Sequence, residues 1–333
     1  MWQFIEKSNL IVVLIVLAIS LFILSKAADY LVDNAVKLSK IWGLSEIIIG
    51  ATIVSFGTTL PELSAGIISA LTDNGGFALG NAVGSCITNT SLILGIGALF
   101  GKIPIDKKSS QKLSILIAAV ALLILPTIPY RIVNQNGRIP QIMGIVFLLL
   151  IPAYVYYLIR QDKKTNSIQN SKDSDTTKGS VLIIVIKIFL SAFFITTSAS
   201  ALVSSAEVLA VRIGIPDVII SSTLVAFGTS VPELSTCIAA AKNKHGELAL
   251  GNILGANILN ILLVAGAAVV LTPGGIVILQ EFYMIHFAGL VVVLSIYGTF
   301  AYNKKLNEIS KREGIILILI YVIYIGANLF SVL

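Results

Sequence analysis

The chain has 333 residues, 56% of them hydrophobic and only 12% charged, with a formal net charge of +6. A soluble domain carries about a quarter charged residues, so an ordinary water-soluble enzyme or binding module is excluded. The positive balance does not make a nucleic-acid surface, because the basic residues sit in short stretches between long apolar runs.

In chain order, apolar runs near or above the roughly 18–20 residues needed to cross a bilayer are expected at 9–25, 44–71, 77–100, 112–130, 139–160, 181–211, 215–241, 247–272, 280–302 and 313–333. The first can extend through the amphipathic stretch Lys26–Lys40. A membrane β-barrel would instead show short alternating segments. The predicted class is therefore an all-α integral membrane protein with ten transmembrane helices. No signal peptide is expected, since Glu6 and Lys7 stand where a basic cluster would be and no cleavage site closes the first run. Cys86 and Cys237 lie in apolar segments, which supports neither a disulfide framework nor a thiolate metal site.

Orientation follows from the lysines and arginines. With the N-terminus outside and strict alternation, 19 of the 23 fall on inside segments and four (Lys7, Arg131, Arg138 and Arg212) on outside ones. Such asymmetry predicts both termini outside and the polar loop 161–180 in the cytoplasm.

The sequence repeats itself. At an offset of 171 residues, Thr52–Gly95 aligns without a gap on Thr223–Gly266, with 21 of 44 positions identical. Weaker matches continue upstream, among them Leu31/Leu202, Ala35/Ala206 and Gly43/Gly214. The expected organisation is a first repeat over 1–160, a linker over 161–180 and a second repeat over 181–333. Five crossings per unit is odd, so the second copy enters from the opposite face. Two inverted five-helix repeats are the plan of many secondary transporters, with the substrate site at the midplane between them.

Glu62 and Glu233 occupy the same repeat position, each inside an apolar run with no Lys or Arg within a helical turn or two. An ionised carboxylate at membrane depth costs about 2.5 kcal/mol or more and normally faces a water-filled path, a cation or a partner. Each follows Gly-Thr-Thr/Ser-x-Pro, and proline releases carbonyls near Ser55–Gly57 and Ala226–Gly228 by removing a backbone donor. Thr58, Thr59, Thr229 and Ser230 add hydroxyls. Downstream, Gly80-Asn81-x-x-Gly84-Ser85-x-x-x-Asn89 matches Gly251-Asn252-x-x-Gly255-Ala256-x-x-x-Asn260. The glycines suit close helix packing, and the duplicated Asn89 and Asn260 are candidate ligands. Neither histidine belongs to the set: His245 falls in an expected loop and His286 in an unrepeated helix region. An all-oxygen set suits Ca2+, Na+ or Mg2+, and the loose geometry of many mixed oxygens suits Ca2+ best.

At these blocks, GTTLPE with GNAVGSCITN and GTSVPE with GNILGANILN, the sequence resembles the cation/Ca2+ exchanger superfamily, in particular its prokaryotic sodium/calcium exchangers. The resemblance implies an ion site on helices 2, 3, 7 and 8, with Glu62 and Glu233 as ligands of Ca2+ and Na+. It further implies contributions from Thr58, Thr59, Ser85, Asn89, Thr229 and Ser230 and from the carbonyls of Ser55 and Ala226, with helices 1 and 6 as a sliding pair. The implied activity is Ca2+/Na+ antiport across the plasma membrane, not enzymatic catalysis. Ca2+ and Na+ are then transported substrates, and no cofactor, nucleic acid or protein partner is implied.

The chain departs from the family at Asn260, where many relatives carry Asp, and at Ala256, where Ser is common. Two glutamates balance one Ca2+, two Na+ or two protons, whereas a third monovalent cation would be left uncompensated in low dielectric. K+ independence is expected, and H+/Ca2+ antiport through the same carboxylates stands as the alternative. A cation channel is a further one. The linker has no room for the Ca2+-sensing domains of the animal exchangers.

Overall fold

The computed structural model describes residues 5–6, 8–105, 107–134, 136–166, 178–214, 226–302 and 308–332. In chain order its principal helices are α1 (Leu10–Trp42), the bent pair α2 (Glu46–Thr58 and Leu60–Leu71, 46° apart), α3 (Gly75–Phe100), α4 (Gln111–Ile132), α5 (Gln141–Asp162), α6 (Val181–Arg212), α7 (Val231–Lys242), α8 (Gly246–Leu271), α9 (Gln280–Ala301) and α10 (Lys311–Phe330). Among the described residues, eight are long and apolar enough to cross a bilayer as single helices, and α2 makes nine if its two pieces form one span. The expected first part of α7, from 215 to 225, lies outside the described residues.

Local chemistry sets the helix ends. The Asn9 side chain accepts from Val12 N–H (2.9 Å) and caps α1, which runs through Lys26–Lys40 without a break. It stops at Gly43, whose φ of 63° is open to glycine at no steric cost. Gly214, the repeat counterpart of Gly43, has φ 83°, and among the described residues the counterparts Asp73 and Lys244 are the two non-glycine residues with positive φ (58° and 66°). The helices flanking the linker are longer than expected: Gln141–Asn166 and Lys178–Arg212 carry helix into both ends of 161–180. Once a helix has been nucleated in an apolar span, adding residues at its end costs little. The centre of that loop, 167–177, lies outside the described residues.

Connector contacts sort the helix ends into two groups. At one end Asp162, ending α5, accepts from Ser45 N–H (2.7 Å) and Ser45 Oγ (2.9 Å), between α1 and α2. There too, His245 ahead of α8 lies 3.0 Å from Glu46 at the start of α2. β1 (Ile103–Pro104), between α3 and α4, pairs antiparallel with Glu308–Ile309, between α9 and α10. Gly246 packs on Lys102, joining the α7–α8 connector to this group. At the other end β2 (Gly137–Ile139), between α4 and α5, pairs antiparallel with β3 (Ile276–Ile278), between α8 and α9. Arg212, ending α6, donates to the carbonyls of Glu6 (2.9 Å) and Ser8 (2.5 Å) ahead of α1. Gly75 packs on Thr272 and Ile276, adding the α2–α3 connector. Successive connectors therefore alternate between the two ends.

Of the eight single-helix spans among the described residues, the most enclosed are α8 and α3, with 83% and 72% of their apolar windows buried against 11–33% for the other six. The first part of α2 lies directly on α8. A Cβ added at Gly50 would meet Leu248 O at 2.5 Å, and one at Gly251 would meet Ile47 O at 2.4 Å. Only glycines permit this approach, as their spacing suggests. α1 and α6 pack along each other.

Candidate functional site

Helix α2 breaks at Thr59, and its second piece restarts at Leu60 with Pro61 in its first turn. The second repeat does the same: a short turn, Ala226–Gly228, precedes Ser230, and α7 starts at Val231 with Pro232 in its first turn. Because proline has no N–H, the carbonyls of Gly57 and Gly228 lose their donor four residues on. Glu62 and Glu233 each fall in the first turn of the restarted helix. There the helix dipole favours negative charge.

Both carboxylates are fully buried, as are Asn89 and Asn260. Among the described residues, neither oxygen of either glutamate and neither Oδ1 nor Nδ2 of either asparagine has a hydrogen-bond partner. The two carboxylates are close enough to interact electrostatically. Thr229 lies beside Glu62 and Thr58 beside Glu233, without closing a well-formed bond. Buried polar groups in folded proteins are almost always satisfied, and a buried carboxylate without a partner is the most expensive exception. Four such side chains, contributed two by each repeat, leave oxygen atoms for a ligand.

The helices opposite supply the remaining polar groups. Asn89 opens a π-helical segment, Asn89–Ile93, and Asn260 opens Asn260–Ala265, so the duplicated asparagines carry a duplicated local geometry. Such π-bulges recur at functional sites. Ser230 Oγ lies 3.4 Å from Ser85 Oγ. The corresponding pair in the other half would join Thr59 to position 256, but that residue is alanine, and the Thr59 hydroxyl has no partner among the described residues. The Ser55 carbonyl accepts the Thr59 N–H (2.9 Å) and the Thr58 hydroxyl (3.3 Å), so a cation would compete with both for it. Ala226 opens the Ala226–Gly228 turn.

Two further residues belong here that sequence reasoning leaves without a role. Thr58 Oγ1 donates across the repeats to Asn252 Oδ1 (3.3 Å), and Thr229 Oγ1 donates to Asn81 Oδ1 (3.4 Å). The available signal was their duplication after the glycine of each block. Cys86 Sγ donates to the carbonyl of Asn257 (3.4 Å), its own counterpart 171 residues on, so the two halves meet there at equivalent positions. Among the described residues there is no group of three or more His, Cys, Asp or Glu side chains placed to hold a metal. Any cation here would be bound largely by neutral oxygens around two carboxylates.

Comparison with known proteins agrees over nearly the full length. The profile of the family described as sodium/calcium exchanger protein matches residues 12–160 and 183–330. The sodium/calcium exchanger MaX1 of Methanosarcina acetivorans is 29% identical, the match covering 93% of this chain and 97% of that one. An uncharacterised membrane protein of Methanocaldococcus jannaschii is also 29% identical, over 93% of this chain and 95% of its own length. A solved structure of the sodium-calcium exchanger NCX_Mj, soaked with 10 mM Na+ and zero Ca2+, superimposes with a TM-score of 0.79 at 27% identity, covering 96% of this chain and 99% of that one.

Proposed function

The chain belongs to the sodium/calcium exchanger protein family, and from that premise we propose that it is a secondary antiporter exchanging Ca2+ for Na+ by alternating access around Glu62 and Glu233. One observation carries this reading: two fully buried carboxylates, one from each repeat, lie close enough to interact electrostatically and have no well-formed hydrogen bond among the described residues. Their two charges match one Ca2+. Asn89, Asn260, Thr58, Thr59, Ser85, Thr229 and Ser230, with the carbonyls of Ser55 and Ala226, complete the oxygen set that Ca2+ takes in loose six- to eight-fold coordination.

The alternation of connectors between two ends supports ten crossings in two inverted repeats, as do the duplicated π segments and positive-φ residues. Asn81 and Thr229 are partly exposed while Thr58 and Asn252 are fully buried, which supports access from the end that holds the α8–α9 connector. The basic-residue asymmetry makes that end the outside of a plasma membrane, with both termini there and 161–180 in the cytoplasm. The close packing of α1 on α6 supports their role as a sliding pair.

Proton coupling is the second reading, favoured by the same charge count: two protons neutralise the two carboxylates as completely as two Na+. Reconstitution into liposomes separates the two. We expect 45Ca2+ uptake when Na+ is high inside, and none from a pH gradient alone. Uptake driven by pH alone would replace the Na+ reading, and uptake that ignores both gradients would make the protein a channel. Asn260→Asp adds a third carboxylate, and is expected to steepen the Na+ dependence of exchange. An unchanged Na+ dependence would refute the charge argument for two monovalent ions.

A further inference from the structure

We propose that Asn252 and Asn81 are positioning residues for ion binding, each fixing the hydroxyl of a threonine in the opposite repeat so that its lone pairs face the cation. This rests on the reading of the site as a Ca2+ site. The two contacts, Thr58 to Asn252 (3.3 Å) and Thr229 to Asn81 (3.4 Å), are related by the same repeat offset and cross between the halves. Each threonine also lies beside the glutamate of that same opposite half: Thr58 beside Glu233, Thr229 beside Glu62.

A hydroxyl has one hydrogen and two lone pairs. Beside an ionised carboxylate, its hydrogen would ordinarily turn to the carboxylate in a charge-assisted bond. That would occupy an anionic ligand and point a positive hydrogen into the site. An amide oxygen is a pure acceptor and cannot donate back to the hydroxyl. Asn252 Oδ1 and the Ser55 carbonyl, both 3.3 Å from Thr58 Oγ1, compete with Glu233 for that hydrogen. The carboxylate oxygens close no well-formed hydrogen bond among the described residues. Asn252 is itself fully buried, and its Nδ2 has no partner there.

The test is a double-mutant cycle on the full-length protein in liposomes, read as the Ca2+ concentration for half-maximal exchange and as the maximal rate. Asn252→Leu keeps the branched shape, though with more bulk, and loses the acceptor. It should raise half-saturating Ca2+ about three- to tenfold, the effect of one hydrogen bond, with a smaller change in maximal rate. Asn252→Asp keeps the acceptor and should hold the Ca2+ requirement at or below the wild-type level. In a Thr58→Val background, Asn252→Leu should add nothing, because the hydroxyl it positions is gone. Additive effects, or an unchanged Ca2+ requirement in Asn252→Leu, would overturn the proposal. If Asn252→Leu does not yield a folded protein, the cycle is run on Asn81→Leu and Thr229→Val with the same criteria. Failure here is distinct from failure of the site: the site reading falls only if Glu62→Gln retains Ca2+ exchange.

Discussion

Replacing either central carboxylate, by Glu62→Gln or Glu233→Gln, is expected to reduce Ca2+ exchange about a hundred- to several-thousandfold, below detection in most flux assays. Removing one member of a buried charge constellation costs about 3–5 kcal/mol, and every 1.4 kcal/mol is tenfold in affinity. The amide is nearly isosteric, so packing of the broken helices around Pro61 and Pro232 is retained. Folding is expected to survive, since two buried, mutually interacting carboxylates without well-formed hydrogen bonds are a cost to the fold in the absence of a cation. Thermal stability in detergent without Ca2+ should therefore be equal to or above that of the native protein, and stabilisation by added Ca2+ should disappear. Retained exchange in either variant would remove that glutamate from the site. Lost exchange with collapsed stability would mean that the residue holds the fold together instead.

The second large effect is steric. A Cβ at Gly255 would lie 2.5 Å from Ala51 Cα and 2.7 Å from both Ala51 O and Ser55 Oγ, and one at Gly251 would lie 2.4 Å from Ile47 O. The opposing atoms are mostly backbone, which cannot rotate aside. The first piece of α2 would have to move off α8, carrying Ser55 and Thr58 away from Asn252. Overpacking of this kind costs about 1–3 kcal/mol, occasionally more. Gly251→Ala and Gly255→Ala should lower the melting temperature in detergent and abolish most transport. Gly76→Ala is the control, because a Cβ there meets nothing within 4 Å. Equal behaviour of all three would refute the close approach of α2 and α8.

Much of this architecture is legible in the sequence because the bilayer imposes few choices. A run such as 247–272 has to be helical at that depth, and its observed limits, Gly246–Leu271, differ by one residue at each end. Glu62 and Glu233 stand out because an acid in such a run requires an explanation and the repeat supplies two. Other features depend on pairings between distant residues, which no local pattern encodes. Periodicity does not reveal that α1 and α6 pack along each other, or that 103–104 pairs with 308–309. The π segments after Leu259 and Thr88 are also silent, since a one-residue bulge leaves composition unchanged. His245 reads as a loop residue, and it lies just ahead of α8; its contact with Glu46 is set by a neighbour 199 positions away. Asn81 and Asn252 show the same limit. Their duplication is visible, but their threonine partners come from the other half.

The central claim is that the two repeats build one shared cation site, and equilibrium binding of 45Ca2+ to the purified protein tests it most directly. A shared site predicts one Ca2+ bound per chain, displaced by Na+, and lost completely in Glu62→Gln and equally in Glu233→Gln. Two Ca2+ per chain, with each substitution removing one and sparing the other, would contradict it and leave each repeat with a site of its own.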